Sequence, residues 1–153
     1  MEVENLKMCR VRDVRLPEKA HTTDAGFDFF VPNDFEPKTL FYNSDILIPS
    51  GIKVIVPHGY ALIAMNKSGV AVKHKLQVGA CVVDENYTGE VHMHIYNHSS
   101  PDNAVQIVPG MKIVQFVLVR IGNHSVEEIS TKQYESETGI TERGAGGFGS
   151  TGA

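Results

Sequence analysis

The sequence is short of several features that mark large classes of protein. It has two cysteines, Cys9 and Cys81, which are too few for a disulfide framework. Its net charge is −4, and the absence of a basic surplus argues against a DNA or RNA partner. No apolar run approaches the roughly 20 residues that a membrane-spanning helix needs. These absences predict a protein that binds neither nucleic acid nor a membrane.

Two further observations concern the cellular compartment. Residues 1–7 lack the apolar segment of a secretory signal. Cys81 lies within an apolar stretch, as buried free thiols do, and nothing in the sequence requires an oxidising environment. Together these observations predict a cytoplasmic location.

The apolar period of an amphipathic helix is also missing. No window of 11 or more residues repeats at i, i+3, i+4 and i+7. Instead, short apolar segments recur between Gly, Pro, Asn and Asp, which is the pattern of strands and turns. Ser68 could cap a single helical turn through Ala71. The 153 residues therefore predict one all-β domain with a sizeable core, as a sandwich, barrel or jelly roll.

The composition changes after about residue 125. Residues 126–142 are polar and acidic, and residues 143–152 contain five glycines. Because ordering glycine costs much backbone entropy, this segment cannot hold a strand or helix unaided. We predict a β domain over residues 1–125 and a flexible arm over 126–153. The arm has the cation, ring, hydroxyls and N–H groups of a flap over a phosphorylated ligand, whereas an inert linker is the alternative.

The most informative stretch is 79–91. Asp84 follows an apolar run, Tyr87 lies three residues later, and a second apolar run begins at Val91. The pattern predicts a β-hairpin. A carboxylate held on a rigid hairpin suits a general base, although Asp often does no more than bond to the backbone of a turn.

Three short motifs suggest other chemistry. Residues 144–149 match the dinucleotide fingerprint G-x-G-x-x-G, and with Ser150 they resemble a P-loop without its Lys. Both motifs require a following helix, and only four residues remain after Gly149. His92 and His94 share one face of a predicted strand as a possible metal pair, but no third ligand follows at a usual spacing. We therefore predict no protein-held metal.

Five segments, taken in order, resemble the five motifs of the trimeric, all-β deoxyuridine triphosphatase (dUTPase) family. The resemblance spans about residues 11–152, and the central hairpin and the glycine-rich tail are its most specific parts. It implies a distorted jelly-roll, a β-clip-like sandwich of short strands. It also implies a homotrimer that hydrolyses dUTP to dUMP and pyrophosphate, with Mg²⁺ and with sites at subunit interfaces. The five segments are Ala25–Asp28, Lys67–Ala71, Gly79–Gly89, Pro109–Phe116 and Arg143–Gly152.

The resemblance implies a role for each matching residue. Asp84 would activate the water that attacks the α-phosphorus. Tyr87 would pack on the deoxyribose and exclude a 2′-hydroxyl. Gln115 would contact phosphate or a metal-bound water and brace the hairpin, and Asp28 would support the same region. The other implied substrate-binding residues are Lys67, Ser68, Gly69, Gly79, Val83, Arg143, Gly146, Phe148, Gly149 and Ser150.

Most of these residues would contact phosphate. Ser68 and Gly69 would form a phosphate loop, and Arg143 would hold the γ-phosphate with its forked guanidinium. Ser150 and the glycine N–H groups would add contacts, while Phe148 would stack over uracil. The backbone of the hairpin would read the uracil edge. Mg²⁺ would be held mainly by the phosphates and water.

The sequence departs from the family pattern at two positions. Lys67 stands where an Arg is usual, and Asn86 where a second Asp is common. A Lys keeps the charge but loses the planar fork.

Three alternatives remain at this point. The related dCTP deaminases carry a Glu where this chain has His94, which disfavours deamination. A dUTP-binding protein that signals to a partner is the second alternative, although the sequence keeps Asp84, Tyr87 and the whole tail, which favours catalysis. A generic ligand-binding jelly roll would leave the order of the five segments unexplained.

Overall fold

A computed structural model describes residues 5–147 of the chain. These residues form eleven strands and two helices. The strands are β1 Lys7–Arg10, β2 Gly26–Phe29, β3 Lys38–Leu40, β4 Asp45–Pro49, β5 Ile52–Ile55, β6 Tyr60–Asn66, β7 Leu76–Val78, β8 Val82–Val83, β9 His92–Asn97, β10 Val105–Ile107 and β11 Val114–Arg120. The helices are α1 Ser68–His74 and α2 Thr131–Thr138.

The strands form four antiparallel sheets. The largest has four strands in the order β2-β11-β6-β8, and a second has three in the order β4-β9-β7. Two further pairs, β1-β5 and β10-β3, are two-stranded. The prediction of an all-β fold of the jelly-roll type is confirmed.

Alternation along the strands explains why these residues form sheets with one buried face. In β5, Ile52 and Val54 are buried while Lys53 and Ile55 are exposed. β9 follows the same period of two, with Met93 buried on its inner face. In contrast, β3 has a single buried residue at its end and was not predicted, because three residues carry no visible period.

The buried core includes residues from both larger sheets, such as Phe116 of the first and Met93 of the second. The fully buried rings of Phe29 on β2 and Phe116 on β11 lie 4.3 Å apart between centroids. Each such side chain contributes about 1.5–3 kcal/mol when it leaves water. Val83 and Val91 belong to the same buried cluster. They lie on either side of residues 84–90, which we call the Asp84 loop. The loop is therefore attached to the core at both of its ends.

The chain separates into two compact units, which divide between Gly122 and Asn123. In the second unit, α2 begins after Ser130, whose Oγ accepts a hydrogen bond from Gln133 N at 3.2 Å. This helix was not predicted, although Ser-x-x-Gln at its start is a capping pattern. That the second unit acts as an arm stays a prediction.

Over residues 5–147, neither helix has the length and apolar character needed to cross a bilayer.

Candidate active site

The chain around Asp84 crosses from one sheet to another. β7 pairs with β9, and Gly79 N still donates to His94 O at 2.8 Å. The chain then leaves that sheet, because β8 pairs with β6 and Ala64 N donates to Cys81 O at 2.7 Å. The predicted hairpin pairing holds for β7 and β9, but the prediction that residues 80–83 continue the same hairpin was wrong, since an apolar run shows that a strand exists but not which strand it pairs with.

Asp84 follows β8 directly and opens a tight turn, in which Tyr87 N donates to Asp84 O at 3.1 Å. The Asp84 side chain is exposed, and its carboxylate makes no hydrogen bond or ion pair within the part of the chain that the structure describes. Asp84 and Tyr87 line a cavity of about 230 Å³. Its other lining residues are Leu47, Ala80, Cys81, Val82, Val83, Val91, His92, His94 and Phe116.

The Tyr87 ring is fixed at this cavity by its neighbours. Its hydroxyl donates to Glu90 O at 2.9 Å. A Cβ on Gly89 would lie 2.4 Å from the Tyr87 Oη, so the ring occupies the space that any side chain would need. The glycine of the motif is thus explained by the close approach of the tyrosine.

Two carboxylates that sequence reasoning missed attach the Asp84 loop to neighbouring turns. Glu85 accepts a hydrogen bond from Gly59 N at 2.8 Å and contacts His58 Nδ1 at 3.2 Å. Glu90 accepts from Gly51 N at 2.8 Å and from Arg12 Nε at 2.7 Å. The partners lie far away in sequence, so no spacing rule could have found these contacts.

These contacts stabilise the ionised carboxylates. The N–H of Gly59, with help from His58, lowers the pKa of Glu85. The hydrogen bond from Arg12 lowers the pKa of Glu90, and the N–H of Gly51 adds to the shift. Both carboxylates are therefore anionic at neutral pH.

The Glu90 contact predicts a defined pH dependence of stability. Because its pKa is lower in the folded chain than the ordinary value of 4.5, Glu90 stabilises the fold above that pH. This contribution is lost as the pH falls through the folded pKa. The unfolding free energies of the wild type and Glu90→Gln should therefore differ most above about pH 5 and converge as the pH falls below 4.5. Denaturant titrations across this range measure the difference, and a difference that is constant with pH would contradict the contact.

Asp28 joins two lysines. It is 5 % exposed, and it forms ion pairs with Lys67 Nζ and with Lys112 Nζ, the latter at 3.3 Å. Lys67, the departure from the usual Arg, is thus paired with the first-motif carboxylate. Lys112 was missed, although it lies within the fourth motif. The three residues place two cations beside one buried anion.

Gln115 braces the central sheet. Its Nε2 donates to Asn66 O at 2.8 Å, and Asn66 Oδ1 accepts from Val78 N at 2.8 Å. A Cβ on Gly26 would lie 2.5 Å from Gln115 Oε1, which explains the glycine in the first motif. Asn66 therefore links Gln115 to Val78, the residue before the 79–91 stretch.

The second-motif residues Ser68 and Gly69 are both exposed at the start of α1. The helix is longer than the predicted single turn, and the N-cap is Lys67, whose side chain makes no capping bond. The expected capping role of Ser68 was wrong because Ser68 lies inside the first turn. Its hydroxyl is not needed for the N-cap.

Gly79 and His94 are packed together. A Cβ on Gly79 would lie 2.3 Å from His94 Nδ1. That nitrogen accepts from Ala80 N at 2.9 Å, so Nε2 carries the proton and donates to Asp45 Oδ2 at 2.9 Å. Both ring nitrogens are thus occupied. Residues 5–147 contain no group of three or more His, Cys, Asp or Glu side chains placed to hold a metal ion.

The predicted tail residues lie in the second unit. Arg143 Nε donates to Gly146 O at 3.1 Å, within a short turn. Phe148, Gly149 and Ser150 lie outside the described residues.

Sequence comparison gives a consistent match. The dUTPase family matches residues 12–152. The deoxyuridine 5′-triphosphate nucleotidohydrolase of Candida albicans is 40 % identical over 90 % of this chain and 81 % of its own length. The Kluyveromyces lactis enzyme of that name is 41 % identical over 94 % and 90 %. The Clostridium acetobutylicum enzyme is 36 % identical over 97 % of both chains.

Solved structures give the same fold. A Staphylococcus bacteriophage 80alpha dUTPase with dUPNHPP has a TM-score of 0.85 at 25 % identity, over 99 % of this chain and 100 % of that one. A mutant dUTPase from phage phi11 of S. aureus, described with a structural Mg(II) ion, has a TM-score of 0.73 over 82 % of this chain and 97 % of that one. At 24 % identity the second likeness concerns the fold alone. The sequence match over most of its length shows that the chain belongs to the dUTPase family.

Proposed function

We propose that the protein hydrolyses dUTP to dUMP and pyrophosphate, with Asp84 as the general base. The observation that carries this proposal is the exposed Asp84 carboxylate beside the fixed Tyr87 ring, on the wall of one cavity. The relatives named as deoxyuridine 5′-triphosphate nucleotidohydrolases support it, and they disfavour a deaminase.

The chemical step is a displacement at the α-phosphorus. Asp84 accepts a proton from water while the water oxygen bonds to that phosphorus. The bond between the α-phosphorus and the bridging oxygen breaks, and pyrophosphate leaves. The exposed carboxylate suits this role because no neighbouring cation in the described chain competes for it. A positioned base contributes about 10²- to 10⁴-fold to such a step.

The cavity supplies a site for the nucleoside. Tyr87 packs on the deoxyribose, and its fixed ring leaves no room for a 2′-hydroxyl. The backbone from Gly79 to Val83 reads the uracil edge. A hydrogen-bonding slot of this kind rejects cytosine, because unpaired buried polar groups cost more than a missing methylene. Thymine is excluded by its additional methyl group.

The triphosphate lies toward the second and fourth motifs. Ser68 and Gly69 are exposed and donate to it. Lys67 and Lys112 are both paired with Asp28, and Lys112, whose side chain is 49 % exposed, brings a positive charge to the same region. Through its hydrogen bond to Asn66, Gln115 connects this region to the strand that reads the base.

Mg²⁺ is the cofactor that the reaction implies. Residues 5–147 provide no cluster of acidic and imidazole ligands for it, and Asp28 is already paired with two lysines. This donor set fits an ion that arrives on the triphosphate and keeps its waters, as Mg²⁺ commonly does. When bound, the ion neutralises charge on the phosphates.

The protein forms a homotrimer, and the arm of one subunit closes the site of another with Arg143, Gly146, Phe148, Gly149 and Ser150. The protein works in the cytoplasm, and neither a nucleic acid nor a membrane is its partner. Two free cysteines suit a reducing compartment.

The test is release of pyrophosphate from dUTP, compared with dCTP, dTTP and UTP at equal concentrations with Mg²⁺. We expect release from dUTP with the other three nucleotides at least about 10²-fold poorer, since cytosine has the wrong hydrogen-bonding pattern, thymine an additional methyl group and UTP a 2′-hydroxyl. Ammonia release from dCTP would instead identify a deaminase. Light scattering measures the number of subunits. A monomer that retains full activity would contradict sites that are shared between subunits.

A further inference from the structure

We propose that Glu90 is a positioning residue that sets the discrimination between deoxyribonucleotides and ribonucleotides. Its backbone carbonyl holds Tyr87, and its carboxylate fixes that carbonyl to the rest of the fold. The inference rests on the proposed function, in which Tyr87 faces the sugar. It assigns specificity to a residue that itself need not touch the substrate.

The Glu90 carboxylate is held by three donors. Arg12 donates through Nε to Oε1 at 2.7 Å and through Nη2 to Oε2 at 3.2 Å, which is a forked pair. Gly51 N donates to Oε1 at 2.8 Å. The Glu90 side chain is 17 % exposed, so these bonds are better shielded from water than a surface pair.

The turn that carries Gly51 is itself rigid. Gly51 has a φ of +73°, and a Cβ there would lie 2.8 Å from Val14 Cγ1. On either side of it, Ser50 N donates to Val91 O at 3.0 Å and Val91 N donates to Ile52 O at 2.8 Å. The end of the Asp84 loop is therefore attached to a turn that has little freedom to shift.

The Glu90 carbonyl connects this attachment to the sugar site. It accepts from Tyr87 Oη at 2.9 Å and from His92 Nδ1 at 2.9 Å. Gly89 has no room for a Cβ beneath the Tyr87 ring. A change in the backbone at Glu90 thus moves the Tyr87 ring, and with it the space available for a 2′-hydroxyl.

The other end of the loop has a separate attachment. Glu85 binds Gly59 N and leaves Tyr87 untouched. Loss of that contact should therefore affect the Asp84 end of the loop before the sugar end. This separation allows sugar discrimination to be tested apart from general activity.

The experiment compares Glu90→Gln and Arg12→Gln with the wild type. For each protein, kcat and KM are measured with dUTP and UTP, and binding of the α,β-imido analogues of both nucleotides is measured by calorimetry. The matched control is Asp34→Asn, which removes the other carboxylate near Arg12, at 3.8 Å, without touching the loop. Arg12→Lys tests rescue, because it keeps the charge and loses the fork.

We expect the preference for dUTP over UTP to fall about 10-fold or more in both Gln variants, mainly through improved handling of UTP, since small displacements at a positioned group have large effects. Arg12→Lys should be intermediate, and Asp34→Asn should match the wild type. Should Glu90→Gln fail to fold, the preference of Arg12→Gln for dUTP over UTP tests the inference. Equal losses on both nucleotides, or an unchanged preference, would overturn the inference. A wild type that binds both analogues with discrimination but hydrolyses neither nucleotide would overturn the proposed function alone.

Discussion

Asp84→Asn is expected to lower kcat for dUTP by about 10²- to 10⁴-fold while nucleotide binding is kept. The amide is nearly isosteric with the carboxylate, but it does not accept a proton from water at neutral pH. Because Asp84 is exposed and bears no partner in the described chain, the exchange breaks no contact that the fold needs. Single-turnover kinetics measure the chemical step, and calorimetry with an imido analogue measures binding.

The control for this variant is Asp102→Asn, which removes the same charge from an exposed loop residue of the same unit. It should turn over dUTP as the wild type does. Turnover by Asp84→Asn within a few-fold of the wild type would place the base elsewhere. Loss of binding together with turnover would show that Asp84 holds the substrate instead of activating water.

The sequence was sufficient for the class of fold because strands such as β5 and β9 carry their own alternation. Ile52 and Val54 are buried whereas Lys53 and Ile55 are exposed, and the pattern is visible without any partner strand. The pairing of the strands could not be predicted in this way. The apolar run that ends at Val83 belongs with β6 in one sheet, whereas Val78 just before it pairs in another. A change of sheet within a few residues has no local signature.

The candidate site likewise has residues that the sequence predicts and contacts that it does not. Asp84 and Tyr87 could be predicted because they lie within one continuous motif. The contacts that position them could not, because Arg12 and Glu90 are 78 residues apart and any exposed carboxylate would look the same in sequence. The pairing of Lys112 with Asp28 is similarly a product of the fold, since β11 lies beside β2 in the sheet.

Ending the chain at residue 142 is expected to lower kcat/KM for dUTP by about 10²-fold or more, because the charge of Arg143 and the ring of Phe148, which we propose to close the site, are lost. The melting temperature of the β unit should change little. The buried core lies wholly within residues before Gly122, and α2 has no buried residue. A chain ending at residue 147 keeps Arg143 and Gly146, so it separates their effect from that of Phe148, Gly149 and Ser150. Glu142→Gln, an exposed change just outside the glycine-rich segment, is the control.

Mixed assemblies give the sharper form of this prediction. Full-length Asp84→Asn has arms but no base, and the chain ending at residue 142 has the base but no arm. Each alone should be nearly inactive. If one subunit's arm closes another's site, chains refolded together should regain activity, because a site with Asp84 then receives an arm from its neighbour. Native mass spectrometry confirms mixing. Mixed trimers that stay inactive would show that each arm serves its own subunit, and would remove the reason for placing the site at an interface.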